Sequence, residues 1–144
     1  MPVTIKVRLA TIDDAVALAG LNQAFNGVVE PPEKLAARFG DARRVDYPVL
    51  AEIGDRVVGF ACLRLVPCVF YPEPYAELSE AYVEPDYRRM GVGKALVAYA
   101  ETLASRNGAV EVVLLTNLHN QEGQDFYRAI GYAQTQMAMG KSIK

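Results

Sequence analysis

The sequence predicts an α/β fold of three layers, with a mixed sheet held between helices. Three observations carry that expectation. Segments that alternate every second residue and segments with helical apolar spacing follow one another in the order βααβββαβαβ. They interleave along all 144 residues without a linker, repeat or low-complexity stretch, so residues 1–144 read as a single domain. With 51% hydrophobic residues, the chain can build a sizeable core.

Each element has a local reason. Val3 to Leu9 alternates as a strand. Thr11-Ile12-Asp13-Asp14 fits a capping box and opens a helix whose Leu18, Leu21 and Phe25 share a stripe. Pro31 and Pro32 suit the first turn of a short second helix, which ends near Gly40. Pro48 to Ile53 and Arg56 to Leu65 read as strands joined at Gly54-Asp55, a tight hairpin. Val66 to Pro74 holds three prolines and reads as a loop. Glu77 to Val83 is the fourth strand, Gly91 to Arg106 a helix, and Val110 to Thr116 a fifth strand. A helix over about Gln121 to Ile130 and a closing strand, Tyr132 to Met139, complete the chain.

The stretch between the fourth strand and its following helix is the most informative. Arg88-Arg89-Met90-Gly91-Val92-Gly93-Lys94 is a glycine-punctuated turn that leads into a helix. The first N–H groups of a helix have no intrahelical partner, and the macrodipole is positive at that end. Gly91 and Gly93 remove the Cβ atoms that would hold a phosphate away, and Arg88, Arg89 and Lys94 add charge. A diphosphate ligand follows. A P-loop would need Gly where Arg88 stands and Ser or Thr where Ala95 stands. The dinucleotide fingerprint would need its third Gly at Leu96. What fits is Arg-x-x-Gly-x-Gly, formed by Arg88, Gly91 and Gly93.

That pattern resembles the coenzyme A pyrophosphate loop of the GNAT superfamily of N-acetyltransferases. Tyr82 to Tyr87 resembles the strand end and Pro-containing turn ahead of the loop. Asn120, Phe126-Tyr127 and Gly131-Tyr132 are similar to the second family signature, and Arg8 to Asp14 to its usual first strand and helix cap. The resemblance covers nearly the whole chain. It implies the acyl-CoA N-acyltransferase fold and transfer of acetyl from acetyl-CoA by direct attack of a primary amine. It also implies that Tyr82 and Val83 offer backbone groups to the pantetheine arm. Arg88, Arg89, Met90, Gly91, Val92, Gly93 and Lys94 would hold the diphosphate.

The resemblance implies roles for three further groups. Tyr127 matches the tyrosine that protonates the departing thiolate, although Phe126-Tyr127 also reads as helix packing. Asn120 matches a residue that helps fix the coenzyme, and an N-cap is its other reading. Glu77 and Glu80 lie on the strand where such enzymes often place a base. A regular strand puts them on opposite faces, with Ser79 beside Glu77; a bulge would spoil that parity. Ordered water is the third candidate for the base. His119, the only histidine, reads as a loop or helix-start side chain.

Composition narrows partners. A net charge of -2 gives no support for nucleic-acid binding. No apolar run reaches the roughly 18 residues of a membrane span, and the N-terminus lacks a signal-peptide pattern. Cys62 and Cys68 are too few for a disulfide framework, and with one histidine they form no metal-ligand cluster. The cytoplasm is therefore the expected location. Homodimers are frequent in the resembling family. The acceptor wall would come from Asn26 to Arg44 and Val66 to Tyr75, where Phe70, Tyr71 and Tyr75 accompany Glu30, Glu33 and Glu73. Aromatic faces and carboxylates both attract ammonium. An acyl-CoA-binding module without catalysis is the alternative reading of the same motifs.

Overall fold

β1 (Ile5–Leu9) is the first strand, with Ile5 and Val7 partly buried on one face, Lys6 exposed on the other, and Leu9 exposed at its end. A computed structural model describes residues 2–144. A 3-10 turn, Ile12–Asp14, leads into α1 (Ala15–Asn26), then α2 (Pro32–Phe39). Strands β2 (Asp46–Ile53), β3 (Arg56–Val66) and β4 (Tyr75–Val83) follow. After them come α3 (Val92–Arg106), the two-residue β5 (Val113–Leu114) and α4 (Gln121–Ala129). Contacts divide the chain into two compact units, one ending at Val113 and the other Leu114–Lys144.

The sheet runs in the order β1-β2-β3-β4-β5. The first three pairings are antiparallel, and the helical crossover that separates β4 from its neighbour β5 makes the sheet mixed. Register assigns the faces. Leu50 stands opposite Phe60, and both join Leu18 and Leu21 of α1 in one cluster, edged by Leu35 and Phe39 of α2. Residues one step along point the other way: Val49, Ala51, Ala61, Leu63, Ala76 and Leu78 are buried with Val92, Leu96, Val97 and Ala100 of α3. Gly59 lies at the closest approach, since a Cβ there would meet Tyr82 O at 2.8 Å and Leu96 Cδ1 at 3.4 Å.

The capping box expected at Thr11 forms. Asp14 Oδ2 accepts from Thr11 N at 2.8 Å, while Thr11 Oγ1 accepts from Asp13 N at 3.3 Å. Arg8 on β1 clamps the same carboxylate at 2.7 and 2.9 Å and reaches Glu52 on β2 at 2.6 Å. Its hydrogen bonds hold the Asp14 carboxyl below the usual carboxylate range. The start of α1 is thereby tied to two strands.

Two sequence expectations fail. The fifth strand is not seven residues, Val110 to Thr116, but Val113–Leu114. The closing strand over Tyr132 to Met139 does not form among the described residues. Alternation alone cannot make a strand, because the ladder supplies its hydrogen bonds. Met137 and Met139 are 80% and 88% exposed.

Candidate active site

The loop after β4 has the geometry of an anion cradle. Arg89 takes a left-handed φ of 62° and Gly91 one of 90°, on either side of Met90. Such changes of hand are the backbone pattern of anion-binding nests. Gly91 is the N-cap of α3 and offers no capping side chain. The first loop carbonyl to be used again is Gly91 O, which accepts from Ala95 N at 3.0 Å. Among the described residues, the N–H groups of Arg89, Met90, Gly91, Val92, Gly93 and Lys94 find no backbone acceptor outside the helix, which leaves them for an external one. Arg89 and Lys94 are exposed beside them. This donor set fits a diphosphate.

Arg88 points elsewhere. Its Nε donates to Val83 O at 2.8 Å, and its guanidinium lies 5.5 Å from the Tyr82 ring centroid. It braces the end of β4 rather than adding charge at the amides. The Val83 carbonyl, a candidate partner for the pantetheine arm, therefore already has one donor.

β4 is bulged, and the bulge decides the faces of its carboxylates. Cys62 pairs with Glu80 and Leu63 with Leu78, which leaves Ser79 as the extra residue. The expected sharing of a face by Glu77 and Ser79 in a regular strand is overturned. Glu77 stands opposite Arg64 and Glu80 opposite Cys62. Because 62 and 64 share a face of β3, both carboxylates lie on the α1 side of the sheet. Glu77 accepts from Tyr75 Oη at 3.2 Å and sits 3.7 Å from the Arg64 guanidinium. Glu80 accepts from Asn26 Nδ2 at 3.3 Å. Phe25 of α1 groups with Phe60 and Tyr82 on the same face of the sheet, with Phe25 and Tyr82 centroids 5.3 Å apart. Burial pushes the Cys62 thiol up to about 11, so it stays protonated and unreactive.

In the second unit, α4 carries the remaining candidates. Tyr127 is half-buried, 5.1 Å from the Phe126 ring and 5.9 Å from Tyr132. Burial raises its phenol above the ordinary 10.0. Asn120 is the N-cap: Oδ1 accepts from Gly123 N at 3.0 Å, and Nδ2 donates to Thr116 at 3.4 Å. His119 is exposed just ahead of it, its backbone N–H on Asn117. Among the described residues no cluster of three or more His, Cys, Asp and Glu side chains could hold a metal.

The sequence model of the acetyltransferase (GNAT) family matches residues 16–132. The chain belongs to that family. It is an acetyl-CoA-dependent N-acetyltransferase: an amine receives the acetyl group. The chain is 28% identical over 134 residues to an aminoglycoside N(6')-acetyltransferase type 1 of Stenotrophomonas maltophilia, covering 90% of this chain and 87% of that one. It is 32% identical over 92 residues to the uncharacterized N-acetyltransferase MJ1207 of Methanocaldococcus jannaschii, covering 63% of this chain but only 41% of the relative. Among solved structures, the aminoglycoside N-acetyltransferase AAC(6')-Iy in complex with CoA superposes with a TM-score of 0.83 at 19% identity, covering 99% of this chain and 96% of that one. At that identity the likeness concerns the fold.

For this GNAT enzyme the sequence reading left out Asn22 and gave Asn26 only as the start of the acceptor wall. Asn26 closes α1 before Gly27, and only the folded chain brings it to Glu80, 54 positions away.

Proposed function

We propose that the chain transfers the acetyl group of acetyl-CoA directly to a primary amine of a small, hydrophilic, cationic molecule. One observation carries the coenzyme half: the run of unpartnered amides from Arg89 to Lys94 at the positive end of α3. Those amides would take the diphosphate, aided by the Arg89 and Lys94 charges. Tyr82 and Val83 would align the arm through their main chains. Bound acetyl-CoA supplies the thioester carbonyl to be attacked.

The remaining work falls to side chains. Two carboxylates, Glu77 and Glu80, stand on the face that carries α1, with aromatic rings on the same face, a setting that attracts ammonium. One of them takes a proton from the acceptor ammonium. The freed nitrogen lone pair forms the C–N bond as the C–S bond breaks. Tyr127, whose phenol burial keeps protonated, gives its proton to the departing thiolate. The nitrogen's second proton leaves to solvent, so each turnover releases amide, thiol and one net proton. Asn120 shapes the start of α4 as its cap in this scheme. The aminoglycoside relative, by its name, supports a small polyamine-like acceptor over a protein one. A cytoplasmic setting suits the free thiols Cys62 and Cys68.

Calorimetric titration of coenzyme A into wild type and Gly93→Val tests the loop. A side chain at that position stands between the amides and a phosphate, so affinity should drop about tenfold or more, a change of about 1.4 kcal/mol. Equal affinity in a variant with unchanged melting would refute the loop assignment.

A further inference from the structure

We propose that Glu80, not Glu77, takes the acceptor's proton, and that Asn26 is the positioning residue that holds its carboxylate. The inference rests on the reading of the chain as a direct-transfer N-acetyltransferase. Both glutamates reach the same face only because Ser79 is bulged out, so the face does not choose between them. Their partners do.

Glu77 is engaged on both sides, by the Arg64 guanidinium at 3.7 Å and the Tyr75 hydroxyl at 3.2 Å. Both of its oxygens are thereby taken by this chain's own side chains, Oε1 by Arg64 and Oε2 by Tyr75, before an acceptor arrives. Glu80 has no cationic partner among the described residues. Its hydrogen-bond donor is a neutral amide, Asn26 Nδ2, at 3.3 Å. That amide also donates to Asn22 Oδ1 at 2.7 Å, one turn back on α1. The main chain beneath Asn26 is fixed as well, because Gly27 turns left-handed at φ 69° and its N–H returns to Gln23 O at 2.9 Å. An amide nitrogen tied back to its own helix can fix the orientation of the Glu80 carboxylate.

The surrounding charges are few. Cys62 and Arg64 of β3, Asp46 of β2, and Glu77 and Tyr82 of β4 share the Glu80 face, with Arg88 over the Tyr82 ring. α1, twelve residues without a titratable side chain, contributes amides alone. α2 packs on α1, and its Arg38 is paired with Glu30 at 2.8 Å. In the step, one proton passes from the acceptor ammonium to a Glu80 oxygen, the nitrogen attacks, and Glu80 returns the proton to solvent.

The test uses the full chain, acetyl-CoA and three amines (kanamycin, spermidine and an alanine-terminated peptide), with thiol release followed across pH. Glu80→Gln should lower kcat about a hundredfold, and Glu77→Gln by distinctly less. Asn26→Asp sets a like charge against Glu80, so the acidic limb of kcat/KM should move up by about one pH unit. Asn26→Ala should lower kcat about tenfold with the KM for acetyl-CoA unchanged. An acidic limb unmoved in Asn26→Asp, or a larger loss in Glu77→Gln, overturns the proposal. If none of the three amines is acetylated, the Glu80 carboxyl carbon followed by NMR decides: its titration midpoint must rise in Asn26→Asp, and a fixed midpoint overturns the pairing. Wild-type coenzyme affinity separates the two levels. No binding removes the functional reading itself; binding with an unmoved limb removes only the Asn26–Glu80 assignment.

Discussion

Burial would fit the Tyr127 phenol to the proposed role of acid. The phenol lies between Phe126 and Tyr132, and loss of water around it favours the neutral form. Its proton is therefore held above pH 10.0 and is present throughout the neutral range. As the acid for a departing thiolate, it would make activity fall only on the alkaline side of that value. Tyr127→Phe should lower kcat about a hundredfold with coenzyme affinity intact. Steady-state rates beside calorimetry check this, and an unchanged kcat would remove Tyr127 from the mechanism. The sequence singles out Tyr127 because Phe126-Tyr127, at its interval after Asn120, resembles the second family signature. Asn120 is a different case: its cap on Gly123 N was one of two readings open, and only the fold draws its Oδ1 to that amide.

At the scale of elements, β4 is positioned by two irregularities in its pairing with β3. The Ser79 bulge turns Glu80 to the α1 side, and Gly59 of β3 lets the end of β4 approach closely. Gly59 pairs with Val83, the residue whose carbonyl Arg88 braces. A Cβ at position 59 would stand 2.8 Å from the Tyr82 carbonyl, and backbone cannot rotate away as a side chain can. Gly59→Ala should therefore cost about 1–3 kcal/mol of stability and weaken coenzyme binding by shifting the strand end. Urea unfolding with a coenzyme titration would measure both, and a neutral substitution would show that β4 has slack. The sequence pointed to β4 well enough by alternation. It gave no sign of the bulge, because an extra residue in a strand changes no local preference; it is visible only against the partner's register.

For the whole molecule, stability concentrates where the sheet is covered on both faces. Val49, Leu50, Ala51, Val58, Ala61, Leu63, Leu96, Val97 and Ala100 are fully buried or nearly so. By contrast, Leu115 and Leu118 are 70% and 86% exposed, in a stretch without helix or strand. Hydrogen exchange should therefore be slowest in β2, β3 and α3, and fast from Leu115 to Asn120 and beyond Ala133. Uniform protection across these segments would contradict the distribution of burial. The free cysteines follow the same division, Cys62 buried in the sheet and Cys68 half-buried in the loop after β3.

Local chemistry was enough to write down the helix starts at Thr11, Pro32 and Gly91, the hairpin at Gly54-Asp55 and the glycine loop with its cations. Capping, φ preference and short-range periodicity act between residues a few positions apart, so they leave their mark in the chain itself. The lengths of β5 and of the expected closing strand, the face of Glu80 and the reach of Asn26 came from elsewhere. Each depends on a hydrogen bond or a register with a residue far away in sequence, and such a pairing exists only once the chain has folded.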